Sequence, residues 1–182
     1  YWTQRFLANF AVQVLSVSVG WLVYDITRDP FDLGLVGLVQ FLPALVLVLV
    51  TGTVADRFNR RAIMGICLGI EATVAAAILS LPLAPGMAVW PIFALLAALG
   101  VARAFYNPAA SSLLTNIVDA PDLSQAIALS TSAWQAATII GPVAGGLLYG
   151  LSSGTAFGVA FVMLAVSSLC ALLIRHPRQQ RD

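Results

Sequence analysis

Charge is what this sequence has least of. Only 9% of its 182 residues are Asp, Glu, Lys or Arg, and they nearly cancel, to a net +1. Water-soluble domains carry about 25% charged residues, so a chain this poor in charge cannot cover a water-facing surface. A soluble enzyme, a nucleic-acid binder and a disordered segment are all excluded on that ground. Histidine is nearly absent too. His176 is the only one and stands close to the last residue, so neither a Ser–His pair nor an HExxH zinc site can be built. Cys67 and Cys170 lie in apolar runs with no neighbouring His or Cys, which reads as two small buried hydrophobes, not a disulfide framework or a metal site. No enzymatic activity, metal or cofactor is expected. Lysine is missing altogether, all nine basic residues being arginine, and so is an initiating methionine. Because the chain starts at Tyr1, its natural N-terminus is expected further upstream.

What fills the chain is apolar: 60% of its residues are hydrophobic, and the mean hydropathy is +0.93. A helix spanning a bilayer needs about 20 such residues, so six spans would use roughly 120 and leave about 60 for connections. Six apolar segments fit that arithmetic, at Phe6–Tyr24, Leu33–Thr51, Ala62–Leu81, Val89–Leu114, Gln125–Tyr149 and Ala156–Ile174. They are expected to be helices, because only a helix satisfies its own backbone in lipid. Runs such as LVLVLV and AAAILSL lack the polar alternation of a transmembrane barrel. The first segment is too long for a signal-peptide core and lacks a small-residue cleavage site, so it should stay in the membrane. The connections DITRDPFD, GTVADRFNRR, PLAPGMA, TNIVDAPDLS and GLSSG are too short for a soluble domain. The expectation is an all-α membrane protein with one bundle over residues 1–182.

Arginine sets its orientation. With six spans, Arg5, Arg57, Arg60, Arg61, Arg175, Arg178 and Arg181 fall on one side, and Arg28 stands alone on the other. Both ends are therefore expected in the cytoplasm.

Polar residues recur at helical spacing inside three apolar segments. Asn9, Gln13, Ser16 and Gly20 share one face of the first helix; Gly100, Arg103, Asn107 and Ser111 share one of the fourth; Thr131, Gln135 and Thr138 mark the fifth. Such stripes face other helices or a watery cavity. Asn9, Gln13, Ser16, Gln40, Arg103, Asn107 and Gln135 are the candidate substrate-cavity residues. Glu71 is the one carboxylate inside an apolar segment, at a depth comparable with Arg103. It is either a proton carrier or a buried partner of Arg103, and the second reading is preferred.

Two motifs carry a resemblance. Gly52, Asp56, Arg57, Arg60 and Arg61 form G-x-x-x-D-R-x-x-R-R between the second and third helices. Gly52 would admit a close helix neighbour there, and Asp56 suits a helix N-terminus. Gly141-Pro142 followed by Gly145-Gly146, with Ala137 ahead, matches an exporter motif in which Ala137 replaces a glycine. Together they resemble the major facilitator superfamily, with Asn59 where that family has glycine and Leu96 where it has a helix-four arginine. YDITRDPFDLGLVGLVQFLP and RAFYNPAASSLLTNIV look most like its branch of enterobactin-exporter and macrolide-type efflux proteins.

The resemblance implies the N-terminal half of such a transporter. That half has six transmembrane helices in a 3+3 inverted repeat, with a C-terminal six-helix half missing as partner. Pro43 and Pro142, in the second helix of each triplet, agree with the repeat. The implied function is secondary active, proton-coupled efflux of amphipathic small molecules across a bacterial cytoplasmic (inner) membrane. Gly52 to Arg61 would serve as a cytoplasmic gate, and Ala137 to Gly146 as an exporter packing motif. The lipid bilayer, a small-molecule substrate and protons are the other expected partners. An uptake porter of the same superfamily, or a six-helix channel or non-transporting scaffold, is the alternative.

Overall fold

The computed structural model describes residues 1–81 and 88–173. Within them the chain forms six α-helices: α1 (Trp2–Thr27), α2 (Pro30–Arg57), α3 (Arg60–Ser80), α4 (Trp90–Ile117), α5 (Leu123–Leu151) and α6 (Ser153–Leu173). A single 3-10 turn, Ala120–Asp122, precedes α5. Each expected apolar segment lies on one helix, and most helices run past the expected ends. The first connection shrinks to Arg28 and Asp29, and the second to Phe58 and Asn59. Most of the third connection, and the terminal stretch with Arg175, His176, Arg178 and Arg181, lie outside the described residues.

The local stops have chemical causes. Arg28 ends α1 in the left-handed region (φ 56°), and its N–H bonds to the Tyr24 carbonyl at 2.8 Å. Asp29 then caps α2 by accepting from the Phe31 N–H at 2.8 Å, with Pro30 in the first turn, where a missing N–H costs nothing. At the next junction Asp56 belongs to the last turn of α2, and its side chain lies outside the described residues. The α3 cap comes from Asn59, whose Oδ1 accepts from the Arg61 N–H at 3.1 Å and the Ala62 N–H at 3.5 Å. The motif that this segment resembles has glycine at that position, which has no side chain to supply such a cap.

The core sits among α1, α3, α4 and α6. Leu15, Leu68, Ile78, Leu96, Leu99, Tyr106, Phe157 and Leu164 are fully enclosed there. α2 packs chiefly on α4 and α5 chiefly on α1, so each presents one covered side and one open one. Phe31, Val46, Ile139 and Leu147, on those open sides, are all more than two-thirds exposed. In lipid this costs nothing, because acyl chains are as apolar as the side chains. Cys67 is buried as expected, whereas Cys170 is exposed on α6. An apolar run does not say which of its residues face inward when the surroundings are apolar too.

Five helices are long and apolar enough to cross a membrane: α1, α2 over Pro30–Val48, α3, α4 and α6. α5 has 29 residues, ample in length, but its serines, threonines, glutamines and glycines dilute its hydropathy.

Replacing Asn59 with Ala removes the α3 cap and is expected to lower stability by about 1 kcal/mol, while Asp, which keeps the acceptor, holds it. Thermal exposure of the buried Cys67 thiol to a reactive dye, in a Cys170→Ser background, measures the difference.

Candidate functional site

α1, α2 and α4 diverge enough to leave a cavity of about 1000 Å³. Gln13, Ser16, Gln40 and Arg103 supply its polar wall, and Trp21, Tyr24 and Phe41 its aromatic one. Most other lining positions are aliphatic, among them Val12, Val17, Leu33, Val36 and Leu99. Small hydrogen bonds brace the wall. The Ser16 hydroxyl donates to Gln40 Oε1 at 3.0 Å, and Gln40 Nε2 donates to the Val36 carbonyl at 3.3 Å.

Arg103 is the charged member. It stands midway along the 28-residue α4, about 20 Å from either end at 1.5 Å per residue. That depth is greater than the expected helix end at Leu114 implied, and it puts both ends of α4 beyond the reach of the side chain. The protein must therefore hold the guanidinium, at an insertion cost of at least about 2.5–3.5 kcal/mol. Its Nη2 donates to Asn9 Oδ1 at 3.3 Å, and Asn9 Nδ2 donates in turn to the Arg5 carbonyl at 2.9 Å. Its Nη1 lies 3.9 Å from Glu71 Oε1, an ion contact too long for a hydrogen bond. The Glu71 side chain is 0% exposed against 20% for Arg103, and both Glu71 oxygens lack a hydrogen-bond partner. Glu71 thus neutralises Arg103 from behind, while the guanidinium borders the cavity.

Below this pair a second polar layer joins α1 to α4. The Tyr106 ring lies 5.8 Å from the Arg103 guanidinium, and its hydroxyl accepts from Gln4 Nε2 at 3.4 Å. The Tyr1 hydroxyl donates to the Ala110 carbonyl and accepts from Arg5 Nη1, both at 2.7 Å. Tyr106, Gln4 and Tyr1 carry no signal in the spacing pattern. Arg5 does, since it lies one turn before Asn9 and extends that stripe.

The expected cavity residues divide. Gln13, Ser16, Gln40 and Arg103 line the cavity, and Asn9 touches it only through Arg103. Asn107 and Gln135 are exposed and are not among its lining residues. On α5 the threonines satisfy themselves: Thr131 donates to the Ile127 carbonyl at 3.0 Å and Thr138 to that of Trp134 at 2.9 Å. A hydroxyl that bonds its own helix needs no cavity.

The glycine motifs divide as well. A Cβ on Gly141 would collide with the Gln13 side chain, and one on Gly145 would stand 3.1 Å from Val14 Cα and its carbonyl oxygen. Ala137 is buried one turn earlier. Pro142 has no N–H for the Thr138 carbonyl. Gly146 and Gly52 have open space around them, so the close approach expected at Gly52 does not occur among the described residues. The tight contact on α2 falls instead against Gly100, where a Cβ would meet the Gln40 carbonyl oxygen at 2.5 Å. In the motif that begins at Gly52, Arg57 is exposed at the end of α2, and Arg60 and Arg61 open α3. The Arg61 guanidinium donates to the Leu172 carbonyl at 2.6 Å, where the C-terminal end of α6 favours a cation.

Gly141→Val is expected to cut the yield of folded, monodisperse protein several-fold, and Gly146→Ala to leave it unchanged. Size-exclusion chromatography of detergent extracts at matched expression compares them.

A family model described as Major Facilitator Superfamily matches residues 1–182. The chain is 28% identical over 148 residues to the uncharacterized MFS-type transporter YfiS of Bacillus subtilis, an alignment covering 76% of this chain and 34% of YfiS. It is 24% identical over 181 residues to macrolide efflux protein A of Streptococcus pyogenes, covering 97% of this chain and 44% of that protein. The chain therefore spans less than half the length of these curated relatives.

Proposed function

The chain belongs to the Major Facilitator Superfamily, and from that premise we propose that it is the N-terminal half of a secondary active transporter that exports amphipathic small molecules by alternating access. The observation that carries this reading is the cavity between α1, α2 and α4, apolar and aromatic over most of its wall, with Arg103 on its border. Such a site suits a ligand with an apolar body and a few polar atoms. The likeness to macrolide efflux protein A favours export as the direction. Protons are the proposed coupling ion. Glu71, enclosed behind Arg103, serves in this reading as its counter-charge in preference to carrying the coupling proton.

In the proposed topology all six helices span, α5 included, and both ends face the cytoplasm of a bacterial cell. The packing supports a 3+3 inverted repeat. Exchanging α1–α3 with α4–α6 turns the α1–α5 contact into α4–α2 and the α1–α6 contact into α4–α3, and leaves α3–α6 in place. All of these pairs are in contact. A second six-helix bundle would complete the transporter. The open sides of α2 and α5, with Asn107 and Gln135, are available to it, and Gly52, Asp56, Arg57, Arg60 and Arg61 would form the cytoplasmic contact that rocking makes and breaks.

Topology has a direct test. In a background lacking Cys67 and Cys170, cysteines at Phe58 and Ser152 are expected to label from opposite sides of the membrane with an impermeant maleimide; labelling from one side only would end the six-span arrangement.

Arg103 tests the cavity. Lysine keeps the charge but loses the planar fork that pairs two acceptors at once. In the full-length transporter Arg103→Lys should therefore reduce efflux nearly as far as Arg103→Ala, with membrane insertion unchanged. Full activity in the lysine variant, read as accumulation of substrate in cells, would show that a bare cation suffices.

A further inference from the structure

Resting on the cavity reading above, we propose that the ligand of this half is an amphipathic anion, whose carboxylate, sulfonate or phosphate group takes the Arg103 fork in competition with Glu71. Arg103 is the only charged residue among those lining the cavity. Its carboxylate partner is wholly enclosed, so a ligand in the cavity meets the guanidinium and not the counter-charge. A guanidinium carries five N–H donors, yet a single hydrogen bond from it, to Asn9, is made; Nη1 is enclosed on the Glu71 side without an acceptor, so a ligand in the cavity meets the Nε–Nη2 edge of the fork. Glu71 approaches no closer than 3.9 Å and gives Nη1 no hydrogen bond. The fork is thus held by charge from one side and left short of acceptors, which is the condition a bidentate anion satisfies.

The remaining wall selects the body attached to that anion. Trp21, Tyr24 and Phe41 offer flat apolar surface, and Ser16 and Gln40 are already bonded to each other. An inorganic anion would lose its hydration against this surface and gain one fork; a molecule with an aromatic or alkyl body fills the rest. A cationic amphipath gains the same apolar contacts but sets its charge against Arg103. Among the described residues no other charge lines the cavity to reverse that preference.

The test uses the full-length transporter in phosphatidylcholine nanodiscs and three pyrene probes of equal body, ending in butyrate, butanol or butylammonium. Charge-assisted hydrogen bonds are worth enough to make the butyrate bind about tenfold or more tighter than the alcohol, with the ammonium weakest. Glu71→Gln removes the internal competitor and should tighten the butyrate several-fold while leaving the alcohol unchanged. Arg103→Gln with Glu71→Gln removes both charges and should level the three probes. Adding phosphatidylglycerol to the discs separates the sources of such an anion: displacement of the butyrate points to a lipid headgroup, and no displacement to a soluble molecule, either of which supports the assignment. Equal affinity for all three probes in the unmodified protein, or tightest binding of the ammonium, overturns it while leaving the cavity reading intact. Failure of all three to bind overturns the cavity reading itself and this proposal with it.

Discussion

A guanidinium halfway through a spanning helix cannot be hydrated by lipid, and the arrangement of α1, α3 and α4 follows from holding it. Arg103 projects from α4; α3 brings Glu71 to 3.9 Å and α1 brings Asn9 to 3.3 Å. Two ions taken from water lose solvation that their mutual attraction only about recovers, so such a pair adds little net stability. Its effect is on register. Sliding α3 by one turn would carry Glu71 about 5 Å from Arg103 and leave it an uncompensated buried charge. The surrounding core tolerates apolar exchange far more readily than that.

Close backbone approach is the second organising element, and it acts where hydrophobic driving force cannot. Lipid-facing and helix-facing apolar residues are nearly equivalent in a bilayer, so association depends on how closely helices pack and how many polar groups pair between them. The glycines that matter are those with a backbone or side chain directly against them. Gly100 admits α2, Gly141 and Gly145 admit α1 to α5, and Gly65 admits Leu172 of α6. Ser168 adds a hydrogen bond across that last pair, its hydroxyl donating to the Gly65 carbonyl at 2.8 Å. The contacts at Gly100, Gly141 and Gly145 tie a flanking helix to an inner one, and the contact at Gly65 joins two core helices.

Much of this was legible in the residues. Composition required a membrane solvent, and the six apolar runs located the helices. Period-four spacing picked out Asn9, Gln13, Ser16 and Arg103 before any coordinates. The differences between spacing and packing have a common physical origin. Spacing reports which residues share a face of one helix but not where the neighbouring helix stops covering it. Asn107 lies two turns beyond Gly100 on the same stripe, yet Gly100 is pressed against α2 and Asn107 is exposed. Tyr106 gives no signal in the spacing because an aromatic residue in an apolar run looks like core, which it also is. Its hydroxyl is the informative atom, and only the fold brings Gln4 to it from 102 residues away. The junction at Phe58 and Asn59 is shorter than the sequence suggests because arginines and an aspartate read as loop, whereas they continue α2 and open α3.

The same reasoning explains why this chain does without an arginine at Leu96. Leu96 is fully buried in the core, about one turn before Gly100 and two before Arg103, where a guanidinium would need its own acceptors. Glu71 and Asn9 stand instead beside position 103, so a cation is held at that level of α4 and not two turns earlier. Moving the charge along the helix without moving its partners would leave one unpaired ion on each helix. A cation on α4 is thus tied to acidic and amide partners on two other helices, and the three positions have to be read as one unit.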